Sequence, residues 1–230
     1  MEKRPDFLEV GRQAIAASLI TFEDAQQRHR ESGDWYRFLS NKLIDNVEDG
    51  KSAPFTILTF NYDRSLDFYL YTAFRHALRI DGAELGVKLS NLKIIHLHGS
   101  LCRLPWQVGE GPARDYGDTN GDALITSANN IKIIHEQNEG TEVFKQAHAA
   151  LNRAARIVFL GFGFHATNVR RLLAGGWLDL KQRGMIYASS HGMIHAERQA
   201  VERTFSEKII LPEAHSDCLG ILRNVPGFLS

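Results

Sequence analysis

His98 is well suited to proton transfer, because an unperturbed imidazole titrates at about pH 6.5 and needs little tuning to accept a proton at neutral pH. It lies in the segment IIHLHGS, residues 94–100, two positions after His96. The two-residue repeat of a strand would place His96 and His98 on the same face. Three interpretations stay open: backbone partners satisfy both imidazoles, His98 acts as a general base, or the two histidines share a metal ion with a third ligand such as His135 or Asp63.

Asn61 and Asp63 lie at the junction between a β-prone segment, Phe55–Phe60, and a helical pattern. The apolar residues of that pattern are Leu66, Leu70, Phe74 and Leu78. In open α/β sheets the carboxyl end of a strand faces the ligand crevice, so both polar side chains could contact a ligand there. Structural roles fit the same positions: Asp63 could cap the following helix, and Asn61 could tolerate a tight turn in the left-handed conformation.

Gly161 and Gly163 lie at the end of a third strand candidate. Glycines at such a point let a ligand approach the backbone closely, but they also serve ordinary turns, so an isolated G-x-G is a weak signal. Further along, Thr167 or Asn168 could cap a helix that begins at Val169. These residues therefore have both a functional and a structural interpretation.

The strand candidates alternate with helical patterns, which predicts an α/β protein with a mostly parallel, Rossmann-like sheet and helices on both faces. The candidates are Phe55–Phe60, Leu92–Leu97, Ile157–Phe162, Met185–Ala188 and Lys208–Leu211. Residues 1–50 show a helical pattern without a convincing buried strand. Residues 105–130 are rich in Gly, Asp, Asn and Pro, and we expect them to form a loop, a lid or a small insertion.

Length and composition exclude several classes of protein. The 230 residues suffice for one substantial core, and we expect a single domain over 1–230. Lys and Arg together number 27, as do Asp and Glu, so no overall charge favours nucleic acid. No leader pattern opens the sequence and no apolar run approaches the length of about 20 residues that spans a bilayer, so we expect a cytoplasmic protein without a membrane partner. The only cysteines, Cys102 and Cys218, are too few for a four-cysteine site, and no zinc is expected.

Three motifs carry a resemblance to a known family: TFNYD at 59–63, HLHGS at 96–100 and IVFLGFGF at 157–164. In this order they resemble the sirtuin-like NAD-binding family, in particular its bacterial branch, whose members often cleave NAD in antiphage defence. The similarity covers Phe55 to Ser189. The resemblance implies that NAD is the substrate and that the chain is an NAD glycohydrolase.

Transferred to the matching positions, the resemblance implies a role for each polar residue. Asn61 positions the nicotinamide-side ribose or an attacking water, Asp63 holds the carboxamide, and His98 acts as the base. The glycines let the backbone approach the adenosine-side ribose and phosphates. The implied cofactor contacts are Thr59, Asp63, Gly161 and Gly163.

The acceptor of the ADP-ribosyl group decides the activity within this family. Nicotinamide leaves as a neutral molecule from a cationic precursor, so cleavage needs orientation and charge stabilisation more than a strong acid. With water the products are nicotinamide and ADP-ribose, whereas with an acyl-lysine oxygen the protein is a deacylase. Water is favoured because deacylating members usually carry a four-cysteine zinc module. ADP-ribosyl transfer and a metal hydrolase built on His96 and His98 are further alternatives.

One feature of the family is missing. Its Gly-Ala-Gly-x-Ser-like loop normally holds the pyrophosphate after a first strand, but the nearest glycine here, Gly11, follows no strand. We therefore expect a shortened copy, a lost start or a replaced loop, each of which would weaken NAD binding. Phe60 also takes the middle position of the family's T-Q-N motif.

The second hypothesis is an inactive module that binds a nucleotide or a regulatory partner protein. The helices over residues 7–43 would cover a sheet edge or form a homo-oligomer contact.

Overall fold

The computed structural model of the protein describes residues 5–23, 34–53, 55–132, 140–212 and 216–226. Within these residues the chain is an α/β protein in which each pair of strands runs parallel. It divides into two compact units, Met1–Gln137 and Asn138–Ser230. His135, the suggested third metal ligand, lies outside the described residues.

The first unit contains a two-stranded parallel sheet, in which β1 (Thr56–Thr59) pairs with β2 (Lys93–His96). The register aligns Thr59 with His96, the last residues of the two strands. The helices of this unit are α1 (Pro5–Thr21), α2 (Asp34–Glu48), α3 (Ser65–Leu78), α4 (Gly82–Leu89) and α5 (Gly121–Asn130). Both strands lie inside predicted strand candidates, and α1 and α2 confirm the helical N-terminal segment.

Helix α5 differs from the loop or small insertion expected over residues 105–130. Its first turn is capped by Asn120, whose side chain accepts a hydrogen bond from the Ala123 N–H at 2.8 Å. Asn is favoured both in loops and at helix caps, so the polar composition here includes the start of a helix. Residues 103–120, which we call the excursion, contain no helix.

Helix α1 packs against α5 through small and branched apolar side chains. Ala16 and Ile20 of α1 share a buried cluster with Ala128 of α5, with Ile131 just beyond it, and with Leu101 in the loop after β2. Helix α2 contacts α3 and α4. The N-terminal helices therefore support the elements that position the loop after β2.

The second unit contains a three-stranded parallel sheet with the strand order β3, β4, β5. The strands are β3 (Ile157–Phe159), β4 (Ile186–Ala188) and β5 (Ile209–Ile210). The helices are α6 (Glu142–Arg153), α7 (Ala166–Leu173), α8 (His195–Thr204) and α9 (Cys218–Asn224), and a 3₁₀ helix covers Trp177–Leu180. Its core includes Phe144, Trp177 and Phe205, which are fully buried.

The α/β class and the parallel pairing agree with the sequence analysis, although the described strands form two hydrogen-bonded sheets, one in each unit. The third strand ends at Phe159 instead of Phe162, because Gly161 turns the backbone with a φ of +59°. The Rossmann-like sheet and the single domain over 1–230 stay predictions. Of the helices described, none combines the length and apolar character that crossing a membrane requires.

Candidate functional site

The carboxyl edge of the β1–β2 sheet carries the first two sequence motifs. The Leu97 N–H donates to the Thr59 carbonyl at 2.8 Å and extends the ladder by one step. Beyond it the Asn61 N–H donates to the Thr59 hydroxyl at 3.1 Å, and the Asn61 residue is exposed. The predicted contact residues Thr59 and Asn61 therefore lie at the strand end that faces ligands in parallel sheets.

Asp63 contacts the first turn of helix α3 from the position before the N-cap residue, which is Arg64. One carboxylate oxygen accepts the Ser65 N–H at 3.1 Å and also the Ser65 hydroxyl. These contacts satisfy a donor of the first helical turn, as a capping carboxylate does. Asp63 therefore supports the start of α3, but the prediction that it is the N-cap is wrong by one position, since the N-cap is Arg64. A contact of Asp63 with the nicotinamide carboxamide stays a prediction.

The His98 side chain is buried in an aromatic environment. The residue is 3% exposed, and its ring centroid lies 5.2 Å from that of Phe60 and 6.2 Å from that of Tyr62. Its carbonyl accepts the Lys132 N–H at 2.9 Å. Phe60, which replaces the polar middle residue of the family motif, thus packs beside the predicted base.

Gly99 fixes the loop that follows β2. Its φ of +78° belongs to the left-handed region, and a Cβ at this position would overlap the Asn130 carbonyl oxygen at the end of α5. The Asn130 side chain also donates to the Ser100 carbonyl at 2.9 Å. A glycine is required here because both the backbone conformation and the close approach of α5 exclude a side chain.

His96 has different partners from His98. Its Nδ1 lies 3.0 Å from the Asn61 carbonyl oxygen, and its Nε2 lies 3.3 Å from an Asp67 carboxylate oxygen. Strand β2 ends at His96, so the two-residue repeat that was expected to place both rings on one face does not extend to His98. The structure therefore connects His96 to the backbone carbonyl of Asn61, which is the kind of partner that the first of the three interpretations expected.

Asp67 and Gln107 complete this polar chain, and the sequence analysis missed both. The Gln107 side chain donates to the second Asp67 carboxylate oxygen at 2.8 Å, and Asp67 is 4% exposed. The available signal for Asp67 was its position in the first turn of α3, four residues after Asp63. Gln107 offered no comparable signal, because only the fold of the excursion brings it to α3.

The pKa of His96 is raised above its ordinary value of 6.5. Burial is the largest single influence and would lower it by disfavouring the imidazolium, but the contributions that raise the pKa, led by the hydrogen bond and the negative charge of Asp67, together outweigh burial. The Asn61 carbonyl and the charge of Asp63 act in the same direction as Asp67. Folding therefore favours the charged form of His96.

Two cavities border the excursion. The larger, of about 580 Å³, is walled by the aromatic side chains of Phe68, Tyr71, Trp106 and Tyr116. The smaller, of about 350 Å³, is lined in part by Asp67. Trp106 and Gln107 belong to both walls. Both volumes fall in the range of small-molecule sites, and Gln107 connects them to the chain that ends at Asn61.

Glu23 anchors the excursion to the junction. Its carboxylate accepts hydrogen bonds from the Arg114 guanidinium and, at 3.1 Å, from the Gly117 N–H. Arg64, the residue after Asp63, donates to the Arg114 carbonyl at 2.7 Å. These buried polar contacts fix the excursion against the start of α3.

The glycines of the third motif lie in the second unit. Gly161 donates its N–H to the Ser189 hydroxyl at 2.8 Å, and a Cβ added to it would lie 3.7 Å from the Cys218 sulfur. Burial raises the pKa of the Cys218 thiol, which keeps it protonated at neutral pH. A Cβ on Gly163 would meet no atom within 4 Å. Gly161 is thus required by its positive φ, whereas Gly163 is not required by packing.

Two further predictions concerned the cap of the helix after β3 and a metal site that includes His96 and His98. Helix α7 begins at Ala166 after His165, so the expectation that Thr167 or Asn168 caps it is wrong. Both lie inside its first turn. Among the described residues, no group of three His, Cys, Asp or Glu side chains could hold a metal ion.

Comparison of the chain with protein-family models, with curated proteins and with solved structures finds no match. The resemblance to the sirtuin-like family therefore rests on the three motifs. The structure places Thr59, Asn61, Asp63 and His98 in the first unit, and Gly161 and Gly163 in the second.

Proposed function

We propose that the chain is a sirtuin-like NAD glycohydrolase, which cleaves the nicotinamide–ribose bond of NAD to give nicotinamide and ADP-ribose. The observation that supports this function is the contact between the first two motifs. Parallel strands β1 and β2 end in register at Thr59 and His96, and the His96 ring bonds the Asn61 carbonyl at 3.0 Å. The carboxyl edge of a parallel sheet is where such folds bind dinucleotides.

In the proposed reaction the bond between the ribose C1′ and the nicotinamide nitrogen breaks, and its electron pair leaves with neutral nicotinamide. A water oxygen forms the new bond to C1′ and gives its proton to a base. Asn61, which is exposed at the strand end, would orient the ribose or this water. His98 would accept the proton, which requires water or a ribose hydroxyl to reach the ring beside Phe60 and Tyr62.

Nicotinamide release from NAD, followed by chromatography on the purified chain, tests the proposal. Asn61→Ala and His98→Ala should each reduce the rate, and loss of a general base typically costs about 10²–10⁴-fold. Asn152→Ala and His76→Ala remove the same side-chain types from exposed positions in helices α6 and α3 and should leave the rate unchanged. Circular dichroism of each variant separates loss of chemistry from loss of folding.

A second candidate function, a module that binds a nucleotide without turnover, is favoured by two observations on the predicted site residues. His98 is 3% exposed, and one carboxylate oxygen of Asp63 is occupied by the Ser65 N–H at the start of α3. Such a module would show a raised unfolding midpoint with NAD or ADP-ribose, because a ligand that binds only the folded state stabilises it. It would release no nicotinamide.

A further inference from the structure

The two ring nitrogens of His96 both face atoms that accept hydrogen bonds. Nδ1 lies 3.0 Å from the Asn61 carbonyl oxygen, and Nε2 lies 3.3 Å from the Asp67 carboxylate. A carbonyl and an ionised carboxylate cannot donate, and a neutral imidazole has only one N–H. Only the doubly protonated ring satisfies both partners.

We propose that Asp67 and His96 form a positioning pair: Asp67 keeps the His96 ring doubly protonated, and the ring in turn holds the Asn61 backbone at the carboxyl edge of the sheet. Neither residue needs to touch substrate in this role. The effect of the pair on catalysis rests on the proposed function of Asn61. The existence of the pair does not depend on that function.

The surroundings of Asp67 match an ionised carboxylate. The Asp67 and His96 side chains are 5% and 14% exposed, and a charge with so little access to water needs a partner of opposite sign. The Gln107 amide donates to the carboxylate oxygen that His96 does not contact. Both oxygens of Asp67 therefore accept hydrogen bonds.

The excursion holds Gln107 in place. The Gln107 side-chain oxygen accepts the Leu104 N–H at 2.6 Å, and its carbonyl accepts from the Arg103 guanidinium at 2.9 Å. Residues 103–107 thus form a support for Asp67 that comes from outside α3 and the sheet. A shift of the excursion would reach Asn61 through Gln107, Asp67 and His96.

The charged groups around the His96 ring act in one direction. Asp67 comes from α3 and Asp63 from the junction before it, and both negative charges favour the imidazolium. The excursion contributes the neutral Gln107 amide, while Arg103 points its guanidinium at backbone carbonyls. The pair should therefore stay charged to a higher pH than an ordinary imidazole would, and its hydrogen bond should break as the pH rises further.

Nuclear magnetic resonance of the full chain with ¹³C-labelled histidine measures the His96 titration directly. His96→Gln assigns the signal. The wild type should titrate above the ordinary value of 6.5. Asp67→Asn keeps the shape but removes the charge, and should lower the midpoint below that of the wild type. Asp122→Asn, at an exposed position in α5, should not change it.

A kinetic readout accompanies the titration. Asp67→Asn should lower the kcat of nicotinamide release by up to about 10²-fold through misplacement of Asn61, and Asp67→Glu should recover part of the loss. The proposed Asp67–His96 pair is rejected if the wild-type His96 ring titrates at or below the ordinary pKa of a histidine, or if Asp67→Asn leaves its titration midpoint unchanged. Because the midpoint is measured without NAD, an inactive chain with a raised midpoint rejects only the proposed function.

Discussion

Arg64 donates two hydrogen bonds to the Glu23 carboxylate, at 2.9 and 2.7 Å, across 41 positions in the sequence. Both residues are almost completely buried, with exposures of 1% and 4%. Arg114 contacts the same carboxylate and is equally buried. One negative charge therefore compensates two buried positive charges, and it joins the segment after α1, the start of α3 and the excursion.

Glu23→Gln should destabilise the first unit strongly. The amide keeps the size of the side chain but leaves two buried guanidinium groups without a counter-charge, and breaking such a network costs about 3–5 kcal/mol. Urea unfolding measures the change. Asp49→Asn removes one partner of an exposed ion pair with Lys51 and should have no measurable effect. Equal stability of Glu23→Gln and the wild type would mean that the network is not formed in solution.

Gly99→Ala should also destabilise the chain, for a reason of shape. A left-handed backbone costs a residue with a Cβ about 1–2 kcal/mol, and the overlap with the Asn130 carbonyl adds to that cost. The matched control is Gly121→Ala at the start of α5, where a Cβ meets no atom within 4 Å. Thermal unfolding should separate the two variants, and similar midpoints would contradict the described position of α5 against the loop.

The two glycines of the third motif should respond differently to alanine. Gly161 has a φ of +59°, so Gly161→Ala should lower the unfolding midpoint. Gly163 has open space around it, so Gly163→Ala should leave the unfolding midpoint unchanged. If Gly163 lets the backbone approach the cofactor, Gly163→Ala should nonetheless weaken the thermal shift produced by NAD. An unchanged NAD shift in a stable Gly163→Ala protein would remove Gly163 from the proposed site.

The stability contributed by His96 should decrease at alkaline pH. A group whose pKa is raised by folding binds its proton more tightly in the native state, so its contribution is complete below the ordinary value of 6.5 and is lost as the pH rises through the raised pKa. The difference in unfolding free energy between the wild type and His96→Gln should therefore shrink across that window. A difference that grows with pH would have the wrong sign for the His96–Asp67 pair.

The sequence predicted best those features that depend on neighbouring residues. The apolar β-prone runs at Phe55–Phe60 and Leu92–Leu97 contain β1 and β2, because a short strand needs little more than such a run. The contact of Asp63 with the start of α3 was also accessible, since Asp63 and Ser65 are two positions apart, although the N-cap residue is Arg64. Local patterns therefore gave the elements and one side-chain contact.

Contacts made by tertiary structure could not be predicted. Gln107 reaches Asp67 across 40 positions, and His96 reaches Asn61 across 35, through a parallel pairing whose register no local pattern specifies. The composition of residues 105–130 also concealed α5, because Asn120 acts as a cap and not as a loop residue. The burial of His98 likewise depends on where Phe60 and Tyr62 lie in the folded chain.

The decisive measurement is nicotinamide release from NAD by the purified chain, with Asn61→Ala and His98→Ala beside the wild type and Asn152→Ala and His76→Ala as controls. An NAD glycohydrolase should show release by the wild type and both controls, and a loss of about 10²-fold or more in the other two variants with folding intact. No release by a folded wild type would contradict the proposed function, and a thermal shift with NAD in that protein would point to the binding module instead.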